Sequence, residues 1–296
     1  MRKAFAKAMV EAASDPGIFF FTVDVGFMAL EEVRDAFGDR FINAGVAEQN
    51  LIGVSAGMAR EGYKVFSYSI APFLYARPFE QIRNDICFSG LPVCLVGNGG
   101  GYAYGHMGPT HHALEDCAAM SSLGVRVLVP AFDEDLRDLV KDVRGPTYLR
   151  LGYDARPSGM AVPRYAPWRK VLHGENGVLV ALGPLAGVAL AALADLECEK
   201  RPSVWAVCEL GDGAVPDELW SAVSGSDFHV IEEHVAAGGL GMQLAHSLMK
   251  KGIHPACFKH RYALGYPSGT YGSQEFHRKQ CGLDRDSLRS LFSKQP

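Results

Sequence analysis

Strand-like segments that alternate with helical ones, the first of them an unbroken apolar run, constrain this chain most. Ile18-Phe-Phe-Phe-Thr-Val23, Lys64-Val-Phe-Ser-Tyr68, Pro92-Val-Cys-Leu-Val96, Val125-Arg-Val-Leu-Val129 and Thr147-Tyr-Leu-Arg150 each read as a strand. Between or before them, residues 4–14, 48–61, 77–88, 111–121 and 133–143 read as helices. A strand that is apolar along its length suits burial on both faces, and strands separated by helices pair in parallel. Repeated β-α order therefore predicts an α/β fold with a parallel sheet. A second, shorter set follows, with strands at 178–182, 204–207 and 229–232 and helices at 186–196, 216–223 and 240–250. Pro157, Pro163 and Pro167 break the periodicity between the two sets, as an inter-domain linker would. The expected organisation is one domain over residues 1–156, a linker over 157–172, and a second over 173–296. Each domain is expected to be a mostly parallel sheet flanked by helices.

Composition narrows the function classes. A chain of 296 residues has room for two ordinary domains. With 48% hydrophobic and 21% charged residues, it has the make-up of a soluble globular protein. A formal net charge of −4 gives no basic footprint for nucleic acid. Met1-Arg-Lys-Ala-Phe5 lacks the apolar core of a signal peptide, and no run approaches a membrane span. The seven cysteines are scattered without a CxxC pair, which suits reduced thiols in a cytoplasmic protein.

Three segments carry candidate chemistry. Asn43-Ala-Gly-Val-Ala-Glu48-Gln-Asn50 puts a carboxylate at a helix start in apolar surroundings. Such a charge is costly unless partnered, and desolvation would make Glu48 suited to a proton relay. The alternative is a Glu that serves the helix N-terminus, where the dipole favours an anion. The loop from Gly97 to His112 runs from a strand's carboxyl end into a helix, the place where open α/β sheets bind ligands. It matches neither phosphate-cradle pattern in full. Thr110 is expected to N-cap the following helix, with His111 and His112 at its mouth. His106, His111 and His112 lack a completing carboxylate pattern, so no metal is assigned and a general-acid or substrate-binding role is favoured. The aromatics of residues 68–79, Phe73 among them, suit either stacking on a planar ring or core packing. Gly211-Asp-Gly213 reads as a turn because no matching downstream Asn follows.

Several motifs occur together and in order: Val23-Asp24-Val25, Gly45-Val-Ala-Glu48-Gln-Asn50, Phe73, Arg77-x-x-Glu80-Gln-Ile-Arg83, Gly108-Pro-Thr-His111 and Pro146-Thr-Tyr-Leu-Arg150. This order resembles the C-terminal half of transketolase, above all the separately encoded C-terminal subunits of some bacteria. Val230-Ile-Glu-Glu-His234 leading to Gly238-Gly-Leu-Gly241 is similar to the transketolase C-terminal domain. The resemblance makes residues 1–156 a pyrimidine-binding domain and 173–296 the C-terminal domain.

What the resemblance implies is a thiamine-diphosphate enzyme that transfers a two-carbon ketol unit from a ketose to a sugar aldehyde or ketone. Glu48 would hydrogen-bond the cofactor's pyrimidine N1′, Phe73 would stack on the ring, and Asp24 would lie beside it. His111 would face the reacting centre and bond a hydroxyl or developing oxyanion. Met1 opens directly on the pyrimidine domain, so the resemblance implies a separate N-terminal subunit holding the diphosphate and Mg2+ or Ca2+. It also implies a self-associated core dimer within a heterotetramer. Some positions depart from the family pattern. Met28, Gly99 and Tyr153 stand where Ser, His and Arg hold a sugar phosphate, Met107 where an acidic residue reads the sugar, and Ile70 where an aromatic is usual. A pocket without those charges loses attraction for phosphate, which implies an acceptor that is not an ordinary phosphosugar. The competing expectations are a 2-oxoacid dehydrogenase β-like subunit, a deoxyxylulose-phosphate-synthase-like carboligase, and a non-catalytic partner of the same fold.

Overall fold

A computed structural model describes residues 1–26, 28–211 and 215–293. The first sheet has six strands, all parallel: β1 (Ile18–Thr22), β2 (Phe41–Asn43), β3 (Lys64–Ile70), β4 (Val93–Asn98), β5 (Arg126–Leu128) and β6 (Thr147–Leu151). Their spatial order is β2-β1-β3-β4-β6-β5. The second sheet has five strands, β7 (Trp168–Leu172), β8 (Val178–Leu182), β9 (Ser203–Val207), β10 (Asp227–Ile231) and β11 (Cys257–Arg261), in the order β11-β10-β8-β9-β7. Only β7 in that sheet is antiparallel to its neighbour. Two mostly parallel sheets flanked by helices match the expected fold class.

The apolar runs explain the burial. Along β1, Phe20 faces Phe5, Phe37 and Phe66 in one cluster, while Phe21 faces Leu51, Val65 and Val93 in another. Adjacent residues point to opposite faces, so a run apolar at every position is the pattern that two covered faces require. The cluster holding Phe21 continues into the second sheet through Val178, Val180, Trp205 and Phe228. Burial of each such side chain contributes about 1.5–3 kcal/mol.

The structure adds elements that the pattern did not announce. The last five residues of the expected linker are β7, whose Arg169 and Lys170 obscure its strand character. β11 is a polar edge strand, Cys257-Phe-Lys-His-Arg261, as edges that resist further pairing often are. Helices Glu31–Phe37, Gln274–Cys281 and Arg285–Ser293 also appear. The expected helix over 77–88 is the short Phe79–Gln81 turn continued by a π-helix, Ile82–Cys87. The helix expected from His111 starts only at Asp116, and its N-cap is Glu115. Thr110 therefore does not cap it; its Oγ1 lies 2.9 Å from His111 Nδ1 instead. Asp212 and Gly213 of the Gly211-Asp-Gly213 turn lie outside the described residues. Among those described, no helix is long and apolar enough to cross a membrane.

Candidate active site

In the first sheet the chain leaves β1 for the edge strand β2 and returns on the other side of β1 as β3. At such a reversal the loops diverge and leave a crevice outside the carboxyl ends of the strands. The four residues singled out from the sequence each follow a strand end: Asp24 after β1, Glu48 after β2, Phe73 after β3 and His111 in the long connection after β4.

Glu48 is the first residue of helix Glu48–Arg60 and is only 5% exposed. Asn43 Oδ1 accepts the Gly45 N–H at 3.0 Å, and Gly45 takes φ of 70°, which turns the chain sharply from β2 into the helix. The N-cap is Ala47, which makes no side-chain hydrogen bond. The Glu48 carboxylate instead accepts from Arg77 Nη1 at 2.6 Å. Burial of an anion without a counter-charge would be strongly unfavourable, so this ion pair and the positive end of the helix together offset its desolvation. Glu48 and Arg77 open onto a cleft of about 560 Å³ lined also by Val46, Ala47, Gln49 and Asn50.

Phe73 lies in helix Ala71–Ala76, which begins as β3 ends. Four residues on, the Arg77 guanidinium sits over its ring, with Cζ 3.9 Å from the centroid. The His111 ring meets Phe73 edge-on at a centroid distance of 5.2 Å. Glu48, Arg77, Phe73 and His111 therefore form one contiguous chain of contacts. Asp24 is exposed and lines a neighbouring cleft of about 370 Å³ with Thr22, Glu31, Arg34, Phe41 and Asn43. Its backbone N–H donates to Gly45 O at 3.3 Å, which ties it to the turn that presents Glu48, but no side-chain contact joins it to the other three.

The long loop is held rigidly. Gly101 and Ala113 exchange both backbone hydrogen bonds, at 2.8 and 3.0 Å, and close the loop at its base. Asn98 Nδ2 donates to Tyr104 Oη at 2.6 Å, and a Cβ at Gly99 would run into the Tyr104 ring. Gly108, at φ of 76°, packs beneath Tyr271 and accepts the His111 N–H at 3.0 Å.

The three loop histidines separate by environment. His106 is exposed, and His111 faces Phe73. His112 is buried between the two sheets, with Nδ1 2.6 Å from Tyr266 Oη and Nε2 3.0 Å from Gly105 O. Burial pushes its pKa below the ordinary histidine value. It is a packing residue of the domain junction, beside Tyr102 and His277. The buried group Asp116, Cys117 and His234 has metal-like spacing; Asp116 Oδ2 and both His234 ring nitrogens are engaged, while Asp116 Oδ1 is buried without a hydrogen-bond partner. Arg150 and Tyr148 bond Asp116, while His234 accepts from the Ala118 N–H and bonds Val235 O.

Arg77 received no role from the sequence, although it opens one of the ordered motifs. The signal was its spacing of four from Phe73 on a helix that ends before Pro78.

Residues 1–153 match the family described as transketolase, pyrimidine binding domain. The chain is 30% identical over 275 residues to a subunit of the apulose-4-phosphate transketolase of Actinobacillus succinogenes, covering 86% of this chain and 84% of that relative. It is 28% identical over 277 residues to 1-deoxy-D-xylulose-5-phosphate synthase from Clostridium perfringens, covering 89% of this chain but 44% of the longer relative. Among solved structures, a split gene transketolase described as an inactive β4 tetramer superposes with a TM-score of 0.80 at 30% identity, covering 98% of this chain and 96% of that one.

Proposed function

This chain belongs to the transketolase family, and from that premise we propose that it is the C-terminal subunit of a two-component transketolase. In this reading it moves a two-carbon ketol unit from a ketose donor to a sugar acceptor. Members of the family use thiamine diphosphate, which when bound supplies the carbanion chemistry of the transfer. The residues present fit its aminopyrimidine. A buried carboxylate, Glu48, borders an open cleft, and the Arg77 guanidinium, a planar nitrogen group of this chain's own, already bridges it to the aromatic face of Phe73. Glu48 would hold and move the proton at the pyrimidine N1′, Phe73 would stack on the ring, and Asp24 would border it. His111 would bond a donor hydroxyl or the oxyanion. The diphosphate and its Mg2+ or Ca2+ would be held by an N-terminal subunit, in a cytoplasmic heterotetramer built on a dimer of this chain.

The observation that carries this reading is Glu48, a carboxylate buried at the crevice of the sheet and facing a cleft. With the partner subunit present, Glu48→Gln is expected to lower ketol transfer at least 100-fold, as loss of a general acid-base group does. Unchanged turnover would refute the assignment.

For the acceptor we infer a sugar without a phosphate. Tyr104 fills the space that a side chain at position 99 would need, and exposed Met28, Met107 and Tyr153 stand where the family places polar or charged groups. Strong activity of the reconstituted pair on ribose 5-phosphate would sink this inference. A sugar phosphate such as apulose 4-phosphate is the second reading, favoured by the 30% identity to a transketolase subunit named for it. Release of CO2 from pyruvate would point instead to a 2-oxoacid dehydrogenase-like or carboligase subunit.

A further inference from the structure

We propose that Arg77 acts as an internal stand-in for the cofactor ring, satisfying the pyrimidine site until thiamine diphosphate displaces it. The proposal rests on the assignment of Glu48 and Phe73 to that ring. Two contacts carry it. The Arg77 guanidinium donates from its edge to Glu48 Oε1 at 2.6 Å, and its carbon lies 3.9 Å from the centroid of the Phe73 ring. A guanidinium is planar and delocalised, with N–H groups at its rim and faces that stack on aromatic rings. It therefore offers Glu48 an edge and Phe73 a face at the same time. An aminopyrimidine is also planar and carries nitrogen at its edge, so it would need the same carboxylate and the same aromatic face. The two groups cannot occupy both positions together.

The geometry also gives Arg77 a way out. Its side chain is 46% exposed and borders the open cleft, whereas Glu48 is 6% exposed. Its backbone is fixed independently: helix Ala71–Ala76 ends just before it, Pro78 follows, and Gln49 Nε2 donates to Arg77 O at 3.4 Å. Side-chain rotation alone would release the site, without unfolding either helix. The guanidinium keeps a buried carboxylate paired, and removing Arg77 would leave that carboxylate to bear its full desolvation cost. The consequence is competition, because part of the cofactor's binding free energy is spent on displacing Arg77.

Isothermal titration of thiamine diphosphate into the chain assembled with its N-terminal partner tests this. Arg77→Met keeps the stem and removes the planar charge, and it should tighten cofactor binding roughly tenfold. The cofactor-free chain carrying Arg77→Met should at the same time unfold at lower urea than wild type. The double variant Glu48→Gln/Arg77→Met should recover that loss, since no charge is then left unpaired. Binding that is unchanged or weaker in Arg77→Met, with the variant folded, overturns the proposal. So does a cofactor-free chain whose urea midpoint is unmoved by Arg77→Met. No binding of thiamine diphosphate by the wild-type assembly would overturn the functional reading and this proposal together, whereas wild-type binding that ignores Arg77→Met overturns this proposal alone.

Discussion

Arg150→Met should be among the most destabilising single substitutions in the chain, and its magnitude follows from what the guanidinium touches. Arg150 Nε donates to Asp116 Oδ2 at 2.8 Å, and Nη2 donates to Ala113 O at 2.7 Å and Glu233 O at 3.0 Å. The two side chains of the ion pair are 5% and 0% exposed. Burial works against the charge of Arg150, but Asp116 foremost, together with Cys117 and Tyr148, holds the guanidinium pKa above its ordinary value. Methionine fills much of the same volume but supplies no charge. Within this network Asp116 would keep the Tyr148 hydroxyl, at 2.7 Å, as its donor. Loss of one partner from a buried pair costs about 3–5 kcal/mol. At ~2–4 °C per kcal/mol for chains of this order, Tm should fall by about 10 °C. Asp116→Leu/Arg150→Met removes both charges and should be more stable than the summed single variants by ~2 kcal/mol or more. Urea unfolding followed by tryptophan fluorescence measures each term. Because Ala113 O also accepts from Gly101 N–H at the base of the His111 loop, the Gly101 amide should lose exchange protection in Arg150→Met. A single-variant loss below ~1 kcal/mol, or strict additivity in the double variant, would refute this account.

Three further outcomes are expected. His229 is 3% exposed, and burial followed by the neighbouring Lys259 lowers its pKa from 6.5 to about 4. The folded state thus disfavours the proton, so the stabilisation is full above pH 6.5 and is lost as pH falls towards about 4, by about 3 kcal/mol in all. His229→Leu should flatten that part of the stability curve, and an equally steep loss in the variant would contradict the assignment. Gly105→Ala places a Cβ 2.6 Å from Gln274 N and from Ser273 C, backbone atoms of the other domain, and should cost about 1–3 kcal/mol in urea unfolding. Ser273→Ala removes the hydroxyl that accepts the Phe276 N–H at 3.1 Å and should cost helix Gln274–Cys281 about 1 kcal/mol, read as a lower urea midpoint.

The parts legible in the sequence were those set by local periodicity. β1, β4, β8 and β9 are apolar at most positions because helices cover both faces of the sheets, and that continuity is visible without any structure; β3 and β6, with Lys64, Ser67, Ser69, Thr147 and Arg150 among their residues, were legible from the β-α order. β7 and β11 were not legible, since an edge strand has one unpaired side and its Arg169, Lys170, Lys259 and Arg261 look like loop residues. The helix start at Asp116 rather than His111 was equally hidden. Ala113 is taken up by a β-bridge to Gly101 across the loop, and the His111 N–H closes a turn onto Gly108 O, so neither enters the helix.

The candidate site divides along the same line. Glu48 at the head of a small-residue helix, Phe73 after a strand and the histidine-bearing glycine loop all follow from residue order, because β-α alternation alone puts such segments at strand ends. Residue order could not say that Arg77 rather than a backbone amide answers Glu48, or that His111 faces Phe73 while adjacent His112 is consumed in the domain junction. Asp24, alike in its strand-end position, opens on a neighbouring cleft. These outcomes depend on which strands become neighbours and how two domains close on each other. They are long-range packing results, and no local pattern encodes them.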